Sequence, residues 1–407
     1  MQNALPVLKL APGREASLAR RHPWIFSGAV AEAPSGAAPG SLVLVVSSRG
    51  EPLAQAFWSP ASQICARVLS FDPGEPQVAS GPWIAAKIGA AWARRAGFWN
   101  RTEHDAVRVV HGEGDGLPGL VVDRYAGAVC VQILSAGFDR RRSAIAAAVL
   151  ELFPDVSLVW ERSEGKARAR EGLEDRCGLL AERPGSAAPD PSAVEIVLDG
   201  VRCAVDLSGG QKTGSYLDQA PNRAAVGALA GGLEVLDAFS YDGGFSLVCL
   251  RGGASRVVAL DASESALAAL RANLARNGFA ESAVECVKGD AFETLRRFRD
   301  SRRSFDLVVL DPPKLADSKN RVQKACRAYK DANRLAMKLL RPGGLLATFS
   351  CSGAVGPELF ATVVAEAAVE AGREARVLRR FFQGPDHPVA LACPESLYLK
   401  GLLCSVD

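Results

Sequence analysis

From Leu233 onward the chain alternates short apolar runs of β type with segments of helical periodicity, and this alternation constrains the fold more than any other feature. Strands are expected at Leu233–Phe239, Arg256–Asp261, Ala283–Lys288, Phe305–Leu310 and Leu345–Ser350, with helices near 244–251, 264–276, 291–299 and 320–340. Strands separated by helices must pair in parallel, because each helix carries the chain back across a sheet face. The expected fold class is therefore α/β, a doubly wound Rossmann-like sheet at the C-terminal end. No internal repeat competes with that reading.

The 407 residues are too many for this sheet alone. Upstream, the runs SLVLVV, EPLAQAFW and ICARVLSF within 41–71 read as strands of a small β-barrel, separated by Ser48-Arg49-Gly50 and Ser59-Pro60. A helix follows over Pro82–Trp99, carried by Trp83, Ile84, Ile88, Ala91, Trp92 and Ala96. Strands at Ala106–Val110, Leu120–Val122, Ala128–Leu134 and Val156–Trp160, with a helix over about 138–152, make a central α+β unit. Ala181–Ser192, rich in Ala, Pro, Gly and Ser, is the expected linker. Three domains follow: 1–75, 76–190 and 191–407.

Ten cysteines are scattered with none closer than Cys393 and Cys404, so neither a CxxC pair nor a metal centre is expected. No run has the length of a secretory leader or a membrane span, and a reducing cytoplasm is the expected setting. Lys plus Arg number 48 against 45 Asp plus Glu, a net charge of +3. Any surface for nucleic acid must then be local.

The chemistry is expected along the carboxyl edge of the C-terminal sheet, where open α/β sheets bind ligands. The first strand ends at Asp237, and Phe239-Ser240-Tyr241-Asp242-Gly243-Gly244 turns into a helix. That loop fits neither GxGxxG nor a phosphate-binding P-loop, which disfavours a pyrophosphate cofactor. The second strand ends at Asp261-Ala262, suited to ribose hydroxyls, and the third is followed by Asp290-Ala291, suited to an adenine amino group. Three carboxylates at successive strand ends without a phosphate grip describe an adenosine ligand such as S-adenosyl-L-methionine. Strand-end aspartates acting only as helix caps are the competing explanation.

The fourth strand ends Asp311-Pro312-Pro313-Lys314, a stiff edge that can grip a planar base. Amino-nitrogen methyltransferases commonly place an aromatic residue where Lys314 stands, so attack on an exocyclic nitrogen is the weaker reading. The fifth strand is followed by Cys351-Ser352-Gly353. Carbon 5 of a pyrimidine becomes nucleophilic only after a thiolate adds to carbon 6, and Cys351 is placed to be that thiolate. The alternative is one more buried thiol. Asp311 would then hold the cytosine amino group and ring nitrogen of an unstacked base. The glycine-punctuated segment Gly209–Gln219 is expected to be a hairpin flanking the pocket, with Tyr216 toward the cofactor and Gln211, Lys212 and Asp218 toward the substrate. Lys324, Arg327, Arg334, Lys338 and Arg341 fall on one face of the helix after the fourth strand, either a phosphate-contacting surface or a solvated stripe. Arg21 and Trp24 mark the entry of the first β unit, as RNA contacts or as surface and core.

With these residues assembled, the chain resembles the bacterial 23S ribosomal RNA (cytosine-C5) methyltransferases of the RlmI type. The resemblance spans nearly the whole length. It runs through Arg21-His22-Pro23-Trp24-Ile25-Phe26-Ser27-Gly28, Glu113-Gly114-Asp115-Gly116-Leu117-Pro118-Gly119-Leu120, Val122-Asp123-Arg124-Tyr125, Gln211-Lys212-Thr213-Gly214 and Leu217-Asp218-Gln219. It continues through Phe239-Ser240-Tyr241, Gly243-Gly244-Phe245, Asp311-Pro312-Pro313-Lys314, Ser350-Cys351-Ser352-Gly353, Pro394-Glu395 and Leu397-Tyr398-Leu399-Lys400-Gly401. It implies an N-terminal PUA domain that helps bind RNA, a central α+β domain, a class I methyltransferase domain and a homodimer. It also implies Cys351 as nucleophile, S-adenosyl-L-methionine as cofactor and 23S rRNA, protein-free or in an early assembly intermediate, as substrate. Lys314 stands near the place where many RNA cytosine-C5 methyltransferases carry a second cysteine, and Asp242 where relatives often have Thr. Methylation of another RNA or nucleotide, or a non-catalytic RNA-binding assembly factor, are the other readings.

Overall fold

In the computed structural model, residues 4–95, 97, 103–316 and 318–407 are described. Six strands lie in the N-terminal segment: β1 (Val7–Leu10), β2 (Trp24–Phe26), β3 (Val30–Glu32), β4 (Leu42–Val46), β5 (Pro52–Trp58) and β6 (Ile64–Ser70). They form one sheet in the order β2-β6-β5-β4-β1-β3, antiparallel except for the β1–β4 pair. The three longest were legible from their apolar runs. β1, β2 and β3, three or four residues each, were not expected. A single helical turn, α1 (Ala16–Ala19), precedes β2.

The helix α2 (Gly81–Arg95) buries Trp83, Ile84, Ile88 and Ala91 as the spacing requires, and Ala96, Phe98 and Trp99 of its expected end lie outside the described residues. A five-stranded sheet follows in the order β11-β10-β9-β8-β7, built from β7 (Ala106–His111), β8 (Leu120–Tyr125), β9 (Ala128–Ile133), β10 (Leu158–Ser163) and β11 (Arg176–Glu182). Helices α3 (Ala136–Asp139), α4 (Arg142–Leu152) and α5 (Lys166–Arg170) complete this part. β11 takes the first residues of the expected linker. A two-stranded ribbon, β12 (Val194–Leu198) and β13 (Val201–Val205), then leads on.

The expected hairpin at Gly209–Gln219 is not one. It is a run of turns ending in a short 3-10 turn at Leu217–Gln219. The Thr213 hydroxyl donates to Asp123 Oδ2 at 2.5 Å and lies 3.2 Å from the Tyr125 hydroxyl, which accepts from the Ser215 amide. These buried bonds bind the segment to β8 and explain why Val122-Asp123-Arg124-Tyr125 and Gln211-Lys212-Thr213-Gly214 occur in one chain.

The C-terminal sheet has seven strands in the order β16-β15-β14-β17-β18-β20-β19. They are β14 (Glu234–Ala238), β15 (Arg256–Asp261), β16 (Val284–Lys288), β17 (Phe305–Leu310), β18 (Leu340–Ser350), β19 (Ala375–Phe382) and β20 (Lys400–Val406). The intervening helices are α6 (Ala220–Gly227), α7 (Gly244–Arg251), α8 (Glu264–Arg276), α9 (Ala291–Asp300), α10 (Val322–Leu339) and α11 (Pro357–Ala371). The first five strands are parallel, as the alternation demands. β20 and β19 add an antiparallel edge that was not expected. A core of Leu236, Val258, Phe298, Phe305, Val308, Leu335 and Leu346 fills the space between sheet and helices.

The chain forms two compact units: Met1–Ile196 with Val205–Leu217 and Pro385–Ser396, and Val197–Ala204 with Asp218–Gly384 and Leu397–Asp407. Among the described residues no helix is long and apolar enough to cross a membrane.

Candidate functional site

Within the second unit, the sheet order places Asp290, Asp261, Asp237, Asp311 and Cys351 along one edge, each at or just past the end of its strand. The antiparallel direction of β20 brings its first residue, Lys400, to the same edge, where it pairs in register with Ser350.

Asp237 is fully buried, and its Oδ2 accepts from both the amide (3.0 Å) and the hydroxyl (2.6 Å) of Ser246 in α7. Burial pushes its carboxyl up to about 7, the Ser246 bonds oppose that, and the charges of Asp311 and Asp261 add to it. Asp261 accepts from the Tyr241 amide at 2.9 Å and the Ser263 amide at 2.8 Å. Asp290 caps α9 by accepting from the Glu293 amide at 3.0 Å. Each of the three carboxylates thus organises a strand-to-helix turn.

Capping does not exhaust these groups. Asp237 Oδ1 and Ser240 Oγ are buried with no hydrogen-bond partner among the described residues, which a protein tolerates rarely and where a polar ligand can be accommodated. The loop from Phe239 to Gly243 holds Phe239 at φ 65°, Tyr241 at φ 51° and Gly243 at φ 89°. For the two aromatic residues this left-handed geometry costs about 1–3 kcal/mol each, a strain typical of ligand-clamping turns. Phe239 packs edge-on to Phe292, with ring centres 6.2 Å apart. Asp242 is half-buried, and desolvation pushes it up to about 6 while Arg223 pulls the other way. Ala262 is exposed at the edge, Gly244 lies against Arg223, whose side chain a Cβ would meet at 3.1 Å, and Ala291 is buried at the start of α9. A buried orphan carboxylate oxygen, an orphan hydroxyl and two further carboxylates fit a neutral, hydroxyl-rich nucleoside better than a phosphorylated one.

The nucleophile end is built differently. Cys351 is half-buried and lies between two fully buried serines. Ser350 Oγ donates to the Tyr329 hydroxyl at 2.9 Å, and the same hydroxyl lies 3.0 Å from Ser352 Oγ. Ser352 Oγ also accepts the Ala316 amide at 3.0 Å, so the turn bearing Cys351 is tied to α10 and to the loop after β17. Burial pushes the Tyr329 phenol up, partly offset by the two serines, and the neighbouring Cys351 charge adds to the rise.

Asp311 receives the side-chain amide of Gln219 at 3.0 Å, and that glutamine in turn accepts from Asn222 Nδ2 at 2.7 Å. Pro312 is buried, whereas Lys314 is exposed. Lys400 is 3% exposed and donates to the Ser352 carbonyl at 2.7 Å. Desolvation lowers its ammonium to about 8, with Cys351 acting to raise it and Lys314 to lower it. Gly401, next in the chain, sits where a Cβ would collide with the Phe349 ring, so glycine lets β20 lie close against β18 beside the site.

The remaining expected residues are placed as follows. Asp218 is buried, with Oδ2 accepting from the Tyr398 hydroxyl at 2.5 Å, so this carboxylate faces the protein interior. Gln211, Lys212 and Tyr216 fold in the first unit, where the Tyr216 hydroxyl donates to Gln211 Oε1 and the Lys212 ammonium lies 4.1 Å from the Tyr216 ring centre. Also in the first unit, Trp24 is half-buried and donates its indole N–H to Glu113 at 2.8 Å, and Arg21 lies over the Phe71 ring. Phe26 is 50% exposed and is not core. Lys324, Arg327 and Lys338 are exposed on α10. Arg341 does not belong to that face: α10 ends at Leu339, and Arg341 lies in β18 paired with Glu234 and Asp306 at 2.8 and 2.7 Å. Arg334 is neutralised by Asp331 at 2.5 Å.

One group of metal-ligand type occurs among the described residues, formed in the first unit by His22, Cys393 and Glu395. Its imidazole is already used: Nδ1 accepts from the Trp24 amide at 3.2 Å, so the neutral ring carries its proton on Nε2 and donates to Glu395 at 3.2 Å. That leaves no lone pair for a cation.

Residues 109–398 match the family of S-adenosylmethionine-dependent methyltransferases, and residues 8–71 match a PUA-like domain. Curated relatives include the ribosomal RNA large subunit methyltransferase I of Klebsiella pneumoniae, 43% identical over 98% of both chains. That of Cronobacter sakazakii is also 43% identical, over 98% of this chain and 99% of its own. Among solved structures, a Streptococcus mutans protein described as an S-adenosylmethionine-dependent methyltransferase superposes with a TM-score of 0.82 at 20% identity, covering 98% of this chain and all of its own. A methyltransferase solved with S-adenosylhomocysteine gives 0.83 at the same identity and coverage. At that identity the structural likeness speaks for the fold.

Proposed function

The chain belongs to the S-adenosylmethionine-dependent methyltransferases and, among them, to the ribosomal RNA large subunit methyltransferase I family; on that footing we propose that it forms 5-methylcytosine in 23S rRNA through a covalent Cys351–cytosine adduct. The observation that carries the chemistry is the single half-buried thiol at the same sheet edge as Asp311 and the three strand-end carboxylates.

The residues that would hold S-adenosyl-L-methionine are Asp261 toward the ribose, Asp290 toward the adenine, and Asp237 with the Phe239–Gly244 loop toward the rest. Bound there, it supplies an electrophilic sulfonium methyl group. The chain's own work is on the base. Asp311, oriented by Gln219, accepts from the cytosine amino group and favours protonation of the ring nitrogen. The Cys351 thiolate forms a bond to carbon 6, and the electron pair released by opening the 5,6 double bond makes carbon 5 nucleophilic. Once carbon 5 is methylated, its proton leaves to a base, the double bond re-forms and the thiolate departs. Pro312 and Lys314 stiffen and charge the rim where the base enters.

RNA affinity is assigned to separate modules: the PUA-like part with Arg21 and Trp24, the Gln211 and Lys212 segment, and Lys324 and Arg327 on α10, whereas the buried Asp218 anchors the segment and does not meet RNA. Three domains bounded near residues 75 and 190, a homodimer, a cytoplasmic setting and an rRNA substrate that is protein-free or in early assembly belong to the same reading. Incubating the purified protein with protein-free 23S rRNA and S-adenosylmethionine, then digesting to nucleosides for mass spectrometry, is the test. 5-Methylcytidine is expected; a different methylated nucleoside would remove the reading.

A further inference from the structure

A lysine ammonium with 3% exposure is costly to bury unless an anion or several acceptors compensate it. Lys400 has three donors and, among the described residues, uses one, on the Ser352 carbonyl at 2.7 Å. Among the described residues no carboxylate pairs with it. The acidic group that acts on it is the Cys351 thiol, one residue before the carbonyl that Lys400 grips. The other titratable groups facing the pair are Lys314, from the loop after β17, and Tyr329, from α10. Lys314 carries the wrong charge to satisfy Lys400, and the phenol is held by Ser350 and Ser352.

Resting on Cys351 as the nucleophile, we propose that Lys400 is the positioning residue that keeps Cys351 ionised: the thiol proton resides on Lys400 Nζ, and the sulfur lone pair is left free to attack carbon 6. The proton balance is closed, since the pair passes from thiol and amine to thiolate and ammonium without any further reactant. It also accounts for a buried lysine at the start of β20, a strand that otherwise presents apolar residues to the core. A thiolate beside an ammonium reacts at neutral pH, where an ordinary thiol near pKa 8.5 is mostly protonated.

The test is alkylation of the full-length protein by iodoacetamide across pH 6 to 10, with Cys351 followed by peptide mass spectrometry, since nine other cysteines are present. In the wild type the Cys351 profile is expected to have its midpoint below that of an ordinary thiol. Lys400→Met is expected to move the midpoint up by about one pH unit and slow alkylation at pH 7 about tenfold, whereas Lys400→Arg keeps both near wild type. A purely structural lysine, holding only the Ser352 carbonyl, would leave the Cys351 midpoint unmoved in Lys400→Met, and that result overturns the proposal. A wild-type midpoint at or above 8.5 overturns it as well, independently of whether the Met variant folds. Alkylation reads the thiol and not methyl transfer. A negative profile therefore leaves the nucleophile assignment standing, and that assignment fails separately if Cys351→Ala still methylates RNA.

Discussion

The Tyr329 hydroxyl lies 2.9 Å from Ser350 Oγ and 3.0 Å from Ser352 Oγ, so one phenol on α10 holds both neighbours of Cys351. The turn that presents the thiol is thereby tied to the helix as well as to its own strand. Removing the hydroxyl leaves two buried serine oxygens short of a partner, at a cost of about 1–3 kcal/mol. Tyr329→Phe should lower the melting temperature by several degrees and reduce methylation turnover more than RNA affinity. Thermal melts together with kcat and KM measured separately check this; an unchanged kcat would show that the collar is not needed for the chemistry.

Asp311 is oriented by Gln219 at 3.0 Å, and Gln219 by Asn222. Gln219→Ala should reduce kcat/KM by about ten- to a hundredfold while S-adenosylmethionine affinity, measured by calorimetry, stays within a few-fold. Asp311→Asn should cost more, because an amide cannot play the carboxylate's part toward both the cytosine amino group and the ring nitrogen.

Asp237 offers a prediction with a definite sign. Its folded carboxyl is raised to about 7 from an ordinary value of 3.8, so between these values the native state holds a proton that the unfolded chain has lost. Stability from this group therefore falls as pH rises from about 4 to about 7 and stays reduced above that. Asp237→Asn, which keeps an oxygen for Ser246 without the charge, should stabilise the ligand-free protein relative to wild type more at pH 8 than at pH 5. Melting temperatures at both pH values decide it. A difference that is equal at the two, or larger at pH 5, would mean that the carboxylate is not desolvated.

Lys324 and Arg327 project from α10 into solvent. If they meet phosphates, the double variant Lys324→Ala/Arg327→Ala should weaken rRNA binding most at low salt and flatten the slope of log affinity against log salt by about one to two. Cofactor affinity should not change. An unaltered salt slope would return both to an ordinary solvated surface.

The parallel strands were legible because each carries a short run of β type followed by a helix of clear period, and the first four end at or beside a carboxylate while β18 ends beside Cys351. β19 was not, because Ala375–Phe382 interleaves Arg376, Arg379 and Arg380 with exposed Val377 and Leu378 and shows no buried face. β20 reads as a uniform apolar run, and only its pairing with β18 makes it a strand. The same limit applies to the site. Asp237, Asp261, Asp290, Asp311 and Cys351 each sit at a strand end that local pattern reveals. Tyr329 and Lys400 reach Cys351 through tertiary pairing: the tyrosine reads as an apolar helix residue, and the lysine was visible only as part of Leu397-Tyr398-Leu399-Lys400-Gly401. Arg341 was misplaced because helical spacing continues past Leu339, while the backbone turns to strand at Leu340.

The central claim is that Cys351 attacks cytosine. The direct measurement is methylation of protein-free 23S rRNA by Cys351→Ala, read as 5-methylcytidine by mass spectrometry, with S-adenosylmethionine affinity measured on the same preparation. The account predicts cofactor binding within a few-fold of wild type and no detectable 5-methylcytidine; full methylation by that variant would contradict it.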